Sequence, residues 1–560
     1  MRRPLAVIAA AALTAAACST PSEPARPSAA SGAAQCDPEI ASELRAWAKA
    51  GFSGSIAIST DGRPRCLAAY GTADDAARAP NTPQTVFDIG SITKAFTAAA
   101  VFALAEEGGL SLDDRAGELL PGLKGPAARA TVRQLLLHTS GLRGSYAADD
   151  QPVGADAALA GIGGLEAAFP PGEGYLYSNA GYTLLALIVE KVSGTTFRSY
   201  VAAEVLRLPG GRTAGGFWEG QPAAPGPRAV GVLDDGTPGR PGGRFAGPYW
   251  AIEGNGGLAM TTRDLADWTH ALFTGKIVSP ASAKSLATPG VEIEEGRSET
   301  PGWVAVDAEV FGLPFLTASG GGGDAGQTAT VVWVPGRRIA IAIAANRPKI
   351  PAGDLMRVIG PALLAGEPLP TPTGERVDPG DLGAIVGTYE LDSGGSYDVR
   401  TADGRLLVTP SGVDAVRALF PPRGLTRAEL GRHERRVLAL LTGATREGRK
   451  ERAAIEESGG PIRRVRPAGT LTAGGEIRTY VTLTTGSRSI LCWYAVNEEG
   501  GVEASSVPGA PARLALLSTG KNRFQPDDPV GVGPQVRLTF EEGTMKITGP
   551  DGRATARRRG

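Results

Sequence analysis

The stretch from Ala95 to Ala105 leaves this chain few choices. Six alanines are interspersed with Phe96, Val101, Phe102 and Leu104. Helix propensity this high, with apolar residues on every side, predicts a helix buried all round rather than an amphipathic surface helix. Asp88 and Gly90 favour turn and cap geometry, so the helix is expected to begin near Ser91 and to stop at Gly108-Gly109. Ser91 and Lys94 then stand at i and i+3, on one face of the first turn. A hydroxyl there meets unpaired backbone N–H groups and the positive end of the helix dipole. A lysine amine one turn on, in a dry setting, can draw the hydroxyl proton, which makes Ser91 a candidate nucleophile.

The same spacing recurs at Ser518-Thr-Gly-Lys521. That copy lies in Leu-Ser-Thr-Gly-Lys-Asn, a turn-forming string with no helix behind it, and reads as a loop. The pattern is short enough to arise by chance, so the strand-turn-helix surroundings decide in favour of Ser91 over a structural cap.

A chain of 560 residues has room for two to four domains. Its 57 basic and 58 acidic side chains nearly cancel, which argues against a nucleic-acid surface. The three histidines, His138, His270 and His433, have no metal-ligand spacing, so no metal and no cofactor is expected. Residues 1–17 read as an export signal, with Arg2-Arg3 ahead of an apolar run too short to span a membrane. Ala15-Ala16-Ala17-Cys18 resembles a lipobox, which implies acylation of Cys18 and a lipoprotein facing the periplasm. The alternative is a soluble periplasmic protein cut after Ala17. Residues 18–37 are rich in Ser, Pro and Ala and read as a flexible tether. In an oxidising envelope Cys36 and Cys66 can form a disulfide, whereas Cys492, in an apolar strand, reads as a buried thiol.

Strand-like runs at Ser55–Ser59 and Cys66–Tyr70 flank an Asp61-Gly62 turn, and runs at Val331–Val334 and Arg338–Ala345 flank Pro335-Gly336. Helical patterns occupy Pro38–Ala50, Gly181–Ser193, Thr262–Phe273 and Pro351–Leu364. The fold class is therefore α+β over residues 38–366, with the end hairpins sharing one antiparallel sheet flanked by helices. Residues 367–380 read as a Pro/Thr-rich linker. Beyond it the pattern turns to β at 381–423 and 521–560. Residues 424–520 break this pattern with helical, arginine-rich sequence followed by further strand-like runs. The arginines alternate with glutamates and read as a solvated helix face.

The second chemical motif is Tyr175-Leu-Tyr-Ser-Asn-Ala-Gly181. Tyr177 can exchange a proton with Ser91 as general acid or base, and Asn179 can hold the Lys94 amine and a substrate carbonyl. Ser91-x-x-Lys94, then Thr131-Val-Arg-Gln-Leu-Leu-Leu-His-Thr-Ser-Gly-Leu142, then Tyr177-x-Asn179 together resemble the class C β-lactamase-like serine hydrolases. Leu110–Asp114, Pro171-Gly172 and Gly256–Leu265 extend the likeness. That resemblance implies a serine β-lactamase/transpeptidase-like fold with an all-helical subdomain, and it makes His138 structural rather than a triad base. Val386-Gly-Thr-Tyr389, Asp403–Leu406 and Ala418–Pro421 resemble the small lipocalin-like β-barrel often appended to these hydrolases. Because its expected later part, Asn522-Arg-Phe524 and Val536–Phe540, comes late, the resemblance implies that 424–520 is an inserted module of helices and strands, with a cone-shaped NTF2-like fold as a candidate.

In the family a third motif, Lys-Thr-Gly or His-x-Gly, lines the site. Counted back from the Val331–Val334 strand, Gly320 stands where the cation belongs, in Gly320-Gly-Gly-Gly-Asp-Ala-Gly326. Gly322 and Gly323 would let a substrate backbone approach closely, and the N–H groups of Ser91 and Gly323 would form the oxyanion hole. The cation holds the substrate carboxylate in the family, so its absence points to an esterase or amidase rather than an efficient β-lactamase or D-Ala carboxypeptidase. Arg263 or Arg244 can substitute only if the fold brings one of them in. The expected partner is a small ester or amide, or a peptidoglycan-like substrate, with a lipid anchor as the one membrane contact. The alternative is a non-catalytic cell-envelope binding protein on the same fold.

Overall fold

The computed structural model describes residues 35–233, 236–239, 247–321, 325–372, 382–402, 405–422, 424–473, 476–486, 488–497 and 500–559. A nine-stranded antiparallel sheet forms the centre of the first half. Its order is Gln35–Cys36, Arg63–Tyr70, Gly54–Thr60, Ile339–Ala345, Thr328–Val334, Phe315–Gly321, Trp303–Val306, Arg297–Thr300 and Val291–Glu294. The two hairpins read from the sequence meet in its middle, with Gly54–Thr60 paired to Ile339–Ala345 along seven residues. Cys36 and Cys66 face each other across the edge pair and are joined by a disulfide. Cys492 is buried and free.

Alternation along the central strands sorts side chains by size. Ala340, Ala342 and Ala344 face one core together with Ala329, Val331 and Trp333. Ile341 and Ile343 face the opposite core with Val332 and Val334, against the helices Pro38–Ala50 and Ala352–Ala365. On the alanine side lies the helix Thr93–Glu106, buried on all its faces. Small side chains on this face let the helix Thr262–Phe273 lie directly on Gly54–Thr60 and Ile339–Ala345, and its Trp268 stacks in turn on Phe96 of the buried helix. Around the buried helix pack Asn179–Ser193, Val201–Val205 and Pro280–Leu286, and the shorter helices of the 116–163 region pack on Asn179–Ser193.

The second half is a closed barrel of Gly387–Leu391, Ser396–Ala402, Arg405–Ser411, Leu514–Gly520, Arg523–Pro526, Arg537–Glu541, Thr544–Gly549 and Gly552–Arg558. Between its third and fourth strands is inserted a four-stranded antiparallel sheet, Ile462–Ala473 to Val502–Ser506, backed by helices Arg427–Leu441 and Arg446–Gly459. Leu514–Gly520 pairs with Arg405–Ser411 and belongs to the barrel, so the insertion ends before residue 514 rather than at 520. The barrel docks on the first half through Asp527. Its carboxylate receives Lys349 Nζ at 2.8 Å and Arg405 at 3.2 Å, while Val530 and Val532 join the core under the sheet. Residues 373–380 of the expected linker 367–380, the expected signal 1–17 and residues 18–34 of the expected tether lie outside the described residues, while Gln35–Cys36 at the end of that tether pair in the sheet instead of hanging free.

Candidate active site

The turn before the buried helix is built by its own residues. Asp88 Oδ1 accepts from the Gly90 N–H at 2.8 Å, and Gly90 takes φ +49°, a conformation a side chain would strain. Gly90–Ile92 forms a 3₁₀ turn that runs directly into the α-helix, so Ser91 sits at its mouth. Burial raises the Asp88 carboxyl to about 7, and Asp149 and Glu219 add to the effect.

Three side chains converge there. Lys94 Nζ donates to Ser91 Oγ at 3.0 Å, and the Tyr177 hydroxyl lies 2.9 Å from the same oxygen. Lys94 is only 3% exposed, while Tyr177 is 48% exposed. The Ser91 hydroxyl thus has a dry neighbour on one side and a solvent-facing one on the other. Lys94 also donates to the Asn255 carbonyl oxygen at 3.0 Å and lies 4.8 Å from the centre of the Tyr177 ring. The segment holding that carbonyl is stitched to the helix at two further points: Thr97 Oγ1 donates to Gly254 O, and Leu258 N donates to Thr93 Oγ1. Asn255 itself is fixed by its amide donating to Thr183 Oγ1 at 2.8 Å.

Asn179 occupies the first turn of the helix that follows Tyr177, with Ser178 as the capping residue. It is exposed and makes no side-chain hydrogen bond among the described residues, so the anchoring of Lys94 expected of it falls to the Asn255 carbonyl. A main-chain acceptor leaves no residue-type signature. The only sequence hint was its place beside the Gly256–Leu265 stretch.

His138 is buried, adopts φ +55°, and uses neither nitrogen on Ser91. Its Nδ1 accepts from the Ser178 N–H at 3.0 Å, and its Nε2 faces Glu299 Oε1 at 3.9 Å. The other Glu299 oxygen accepts from the Tyr175 hydroxyl at 3.0 Å. Burial and the nearby Lys94 charge hold His138 well below its usual range, and burial lifts Glu299 to about 7. Glu299 carried no sequence signal, standing in a strand between ordinary polar residues.

Gly320 presses against the turn that carries Ser91. A Cβ there would lie 2.2 Å from Ile89 O and 2.5 Å from Ser91 N, so no side chain fits at that position without parting strand from helix. Ala318, two residues back on the same face, is buried, and no residue of Phe315–Gly321 is basic. Arg263 is engaged with Asp267 on its own helix. Gly322, Gly323 and Arg244 lie outside the described residues, as does Cys18. Among the described residues no cluster of metal-ligating side chains exists.

Fold and site together define a serine-hydrolase-type protein of the β-lactamase and penicillin-binding class. The beta-lactamase family profile matches residues 43–359, and the chain belongs to that family. It is 26% identical over 386 residues to penicillin-binding protein 4* of Bacillus subtilis, covering 64% of this chain and 84% of that protein. It is 30% identical over 244 residues to the putative penicillin-binding protein PbpX of the same organism, covering 43% of this chain and 60% of the relative. It is 33% identical over 161 residues to protein flp of Staphylococcus aureus, covering 27% of this chain and 32% of flp. Among solved structures, an octameric penicillin-binding protein homologue from Pyrococcus abyssi superposes with a TM-score of 0.53 at 20% identity, covering 92% of this chain and 99% of that one. That match speaks to the fold.

Proposed function

We propose that this protein hydrolyses an ester or amide through an acyl-enzyme on Ser91. The observation carrying the reading is the Ser91 oxygen held between Lys94 Nζ at 3.0 Å and the Tyr177 hydroxyl at 2.9 Å. As Ser91 Oγ attacks the carbonyl carbon, its proton passes to the Lys94–Tyr177 pair, and Tyr177 returns a proton to the leaving group. Being half exposed, the phenol can reach both the leaving group and the incoming water. Water then attacks the acyl ester, giving its proton back through the same pair as Ser91 leaves. The Ser91 N–H, with that of Gly323, is assigned to the oxyanion, and Gly322 and Gly323 to the approach of the substrate. Asn179, exposed at the rim, is assigned to the substrate carbonyl.

Two relatives are named penicillin-binding proteins, which points to penicillin-type ligands. The missing cation on Phe315–Gly321 favours a neutral acyl group over a carboxylate-bearing one, hence short esters over cephalosporins. Export and anchoring through Cys18 would place this activity at the periplasmic face of the envelope.

Fluorophosphonate labelling with peptide mapping tests the assignment: mass should appear at Ser91, and Ser91→Ala should take none. p-Nitrophenyl acetate should turn over faster than a chromogenic cephalosporin, and the reverse order would overturn the ester preference. A wild-type protein that takes no label yet binds a peptidoglycan fragment would be the binding protein instead.

A further inference from the structure

His138 grips the segment carrying Tyr177 at two points. Its backbone carbonyl accepts from the Leu176 N–H at 2.9 Å, and its ring Nδ1 accepts from the Ser178 N–H at 3.0 Å. The residue between those two N–H groups is Tyr177, whose ring centre lies 4.4 Å from that of the imidazole. A ring nitrogen can accept only when it carries no proton, so the contact requires neutral imidazole with its proton on Nε2. Nε2 is the atom that faces Glu299, whose second oxygen is held by Tyr175. The φ of +55° at His138 is unusual for a residue with a side chain.

We propose that His138 is the positioning residue for Tyr177, with Glu299 selecting the Nε2–H tautomer that lets Nδ1 hold the Ser178 N–H. This deepens the hydrolase reading and rests on it. The groups facing the pair are Lys94, Tyr175, Tyr177, Tyr182 and Arg297, and the Lys94 charge opposes a second cation on the imidazole. A protonated Glu299 can instead donate to Nε2, driving the histidine proton onto Nδ1 and against Ser178 N–H. Tyr177 should therefore be best placed above the Glu299 ionisation near pH 7.

Three substitutions in the full chain separate the acceptor from the backbone shape. Asparagine tolerates positive φ and places its amide oxygen near Nδ1; glycine tolerates the φ and has no acceptor; alanine has neither. The rate of Ser91 labelling by fluorophosphonate and kcat for p-nitrophenyl acetate should fall about 100-fold in His138→Ala and His138→Gly, with KM nearly unchanged. His138→Asn should recover most of that loss. Glycine matching asparagine would show that backbone shape alone matters and would overturn the proposal, as would alanine at the wild-type rate. Glu299→Gln should flatten the rise in labelling rate through pH 7, and an unchanged rise would remove Glu299 from the device. The tautomer is readable without activity, because the chain has three histidines and their ¹⁵N signals can be assigned by substitution. A neutral Nε2–H form at pH 7.5 is expected. An Nδ1–H or protonated ring would sink the inference even where Ser91 labels normally, whereas absent labelling with the expected tautomer would sink the hydrolase reading alone.

Discussion

The chain writes Ser-x-x-Lys twice, and the two copies end in different physical settings. Ser91 opens a helix, so a spacing of three puts the lysine on its own face, 3.0 Å away. Ser518 lies near the end of a barrel strand, where residues three apart point to opposite faces. Its hydroxyl is taken up locally, donating to Gly520 O at 3.2 Å, while Lys521 stands exposed in the following turn. The sequence reading of that copy as a loop is corrected by its strand, yet the conclusion drawn from it, that no helix supports the pair, holds. Spacing acquires chemical meaning only through the periodicity of the element carrying it.

The largest test of this contrast is paired serine removal. Ser91→Ala should lower ester turnover by about 10⁴-fold or more, whereas Ser518→Ala should leave turnover intact. Equal effects would break the comparison. Tyr177→Phe should cost about 100-fold in kcat and slow Ser91 labelling alongside, read by stopped-flow acylation. Below these comes the glycine pair. Gly90→Ala places a Cβ 2.3 Å from Gly321 N at φ +49° and should slow acylation about tenfold, because the turn beneath Ser91 must shift. Gly520→Ala meets nothing within 4 Å, and its φ of +150° should cost about 1 kcal/mol of stability with activity unchanged.

A test of stability alone concerns dryness. The Asp88 carboxyl is raised in the folded state, so the stability it contributes is present below its unfolded pKa near 4 and is lost as pH climbs through about 7. Asp88→Asn, neutral throughout and still able to accept from Gly90 N–H, should gain about 1 to 3 kcal/mol on wild type between pH 4 and pH 8. Chemical denaturation at both pH values measures it, and a constant difference would show that Asp88 is not desolvated. Lys521→Ala should change neither stability nor turnover appreciably.

Much of this arrangement was legible because it rests on side-chain pattern. The all-round apolar segment could only be buried, and the Asp-Gly and Pro-Gly turns could only join neighbouring antiparallel strands. What escaped notice rests on atoms without a signature. The Asn255 carbonyl anchors Lys94 through the main chain, and Glu299 enters the site only because its strand carries it there. Asn179 looked like the anchor because an amide suits the task, but the start of its helix turns it toward solvent. Gly320 reads in the sequence as a lost cation, and in the fold as a contact surface where Ser91 N leaves no room for a side chain.

Asp527 has a further consequence. It reaches out of the barrel to meet Lys349, and beside it Val530 and Val532 cover apolar side chains of the sheet's outer core. A fragment stopping at residue 372 would bare that greasy patch and strip Lys349 of this counter-ion. The first half should then be poorly soluble by itself, and calorimetry of the whole chain should register both halves melting in one event.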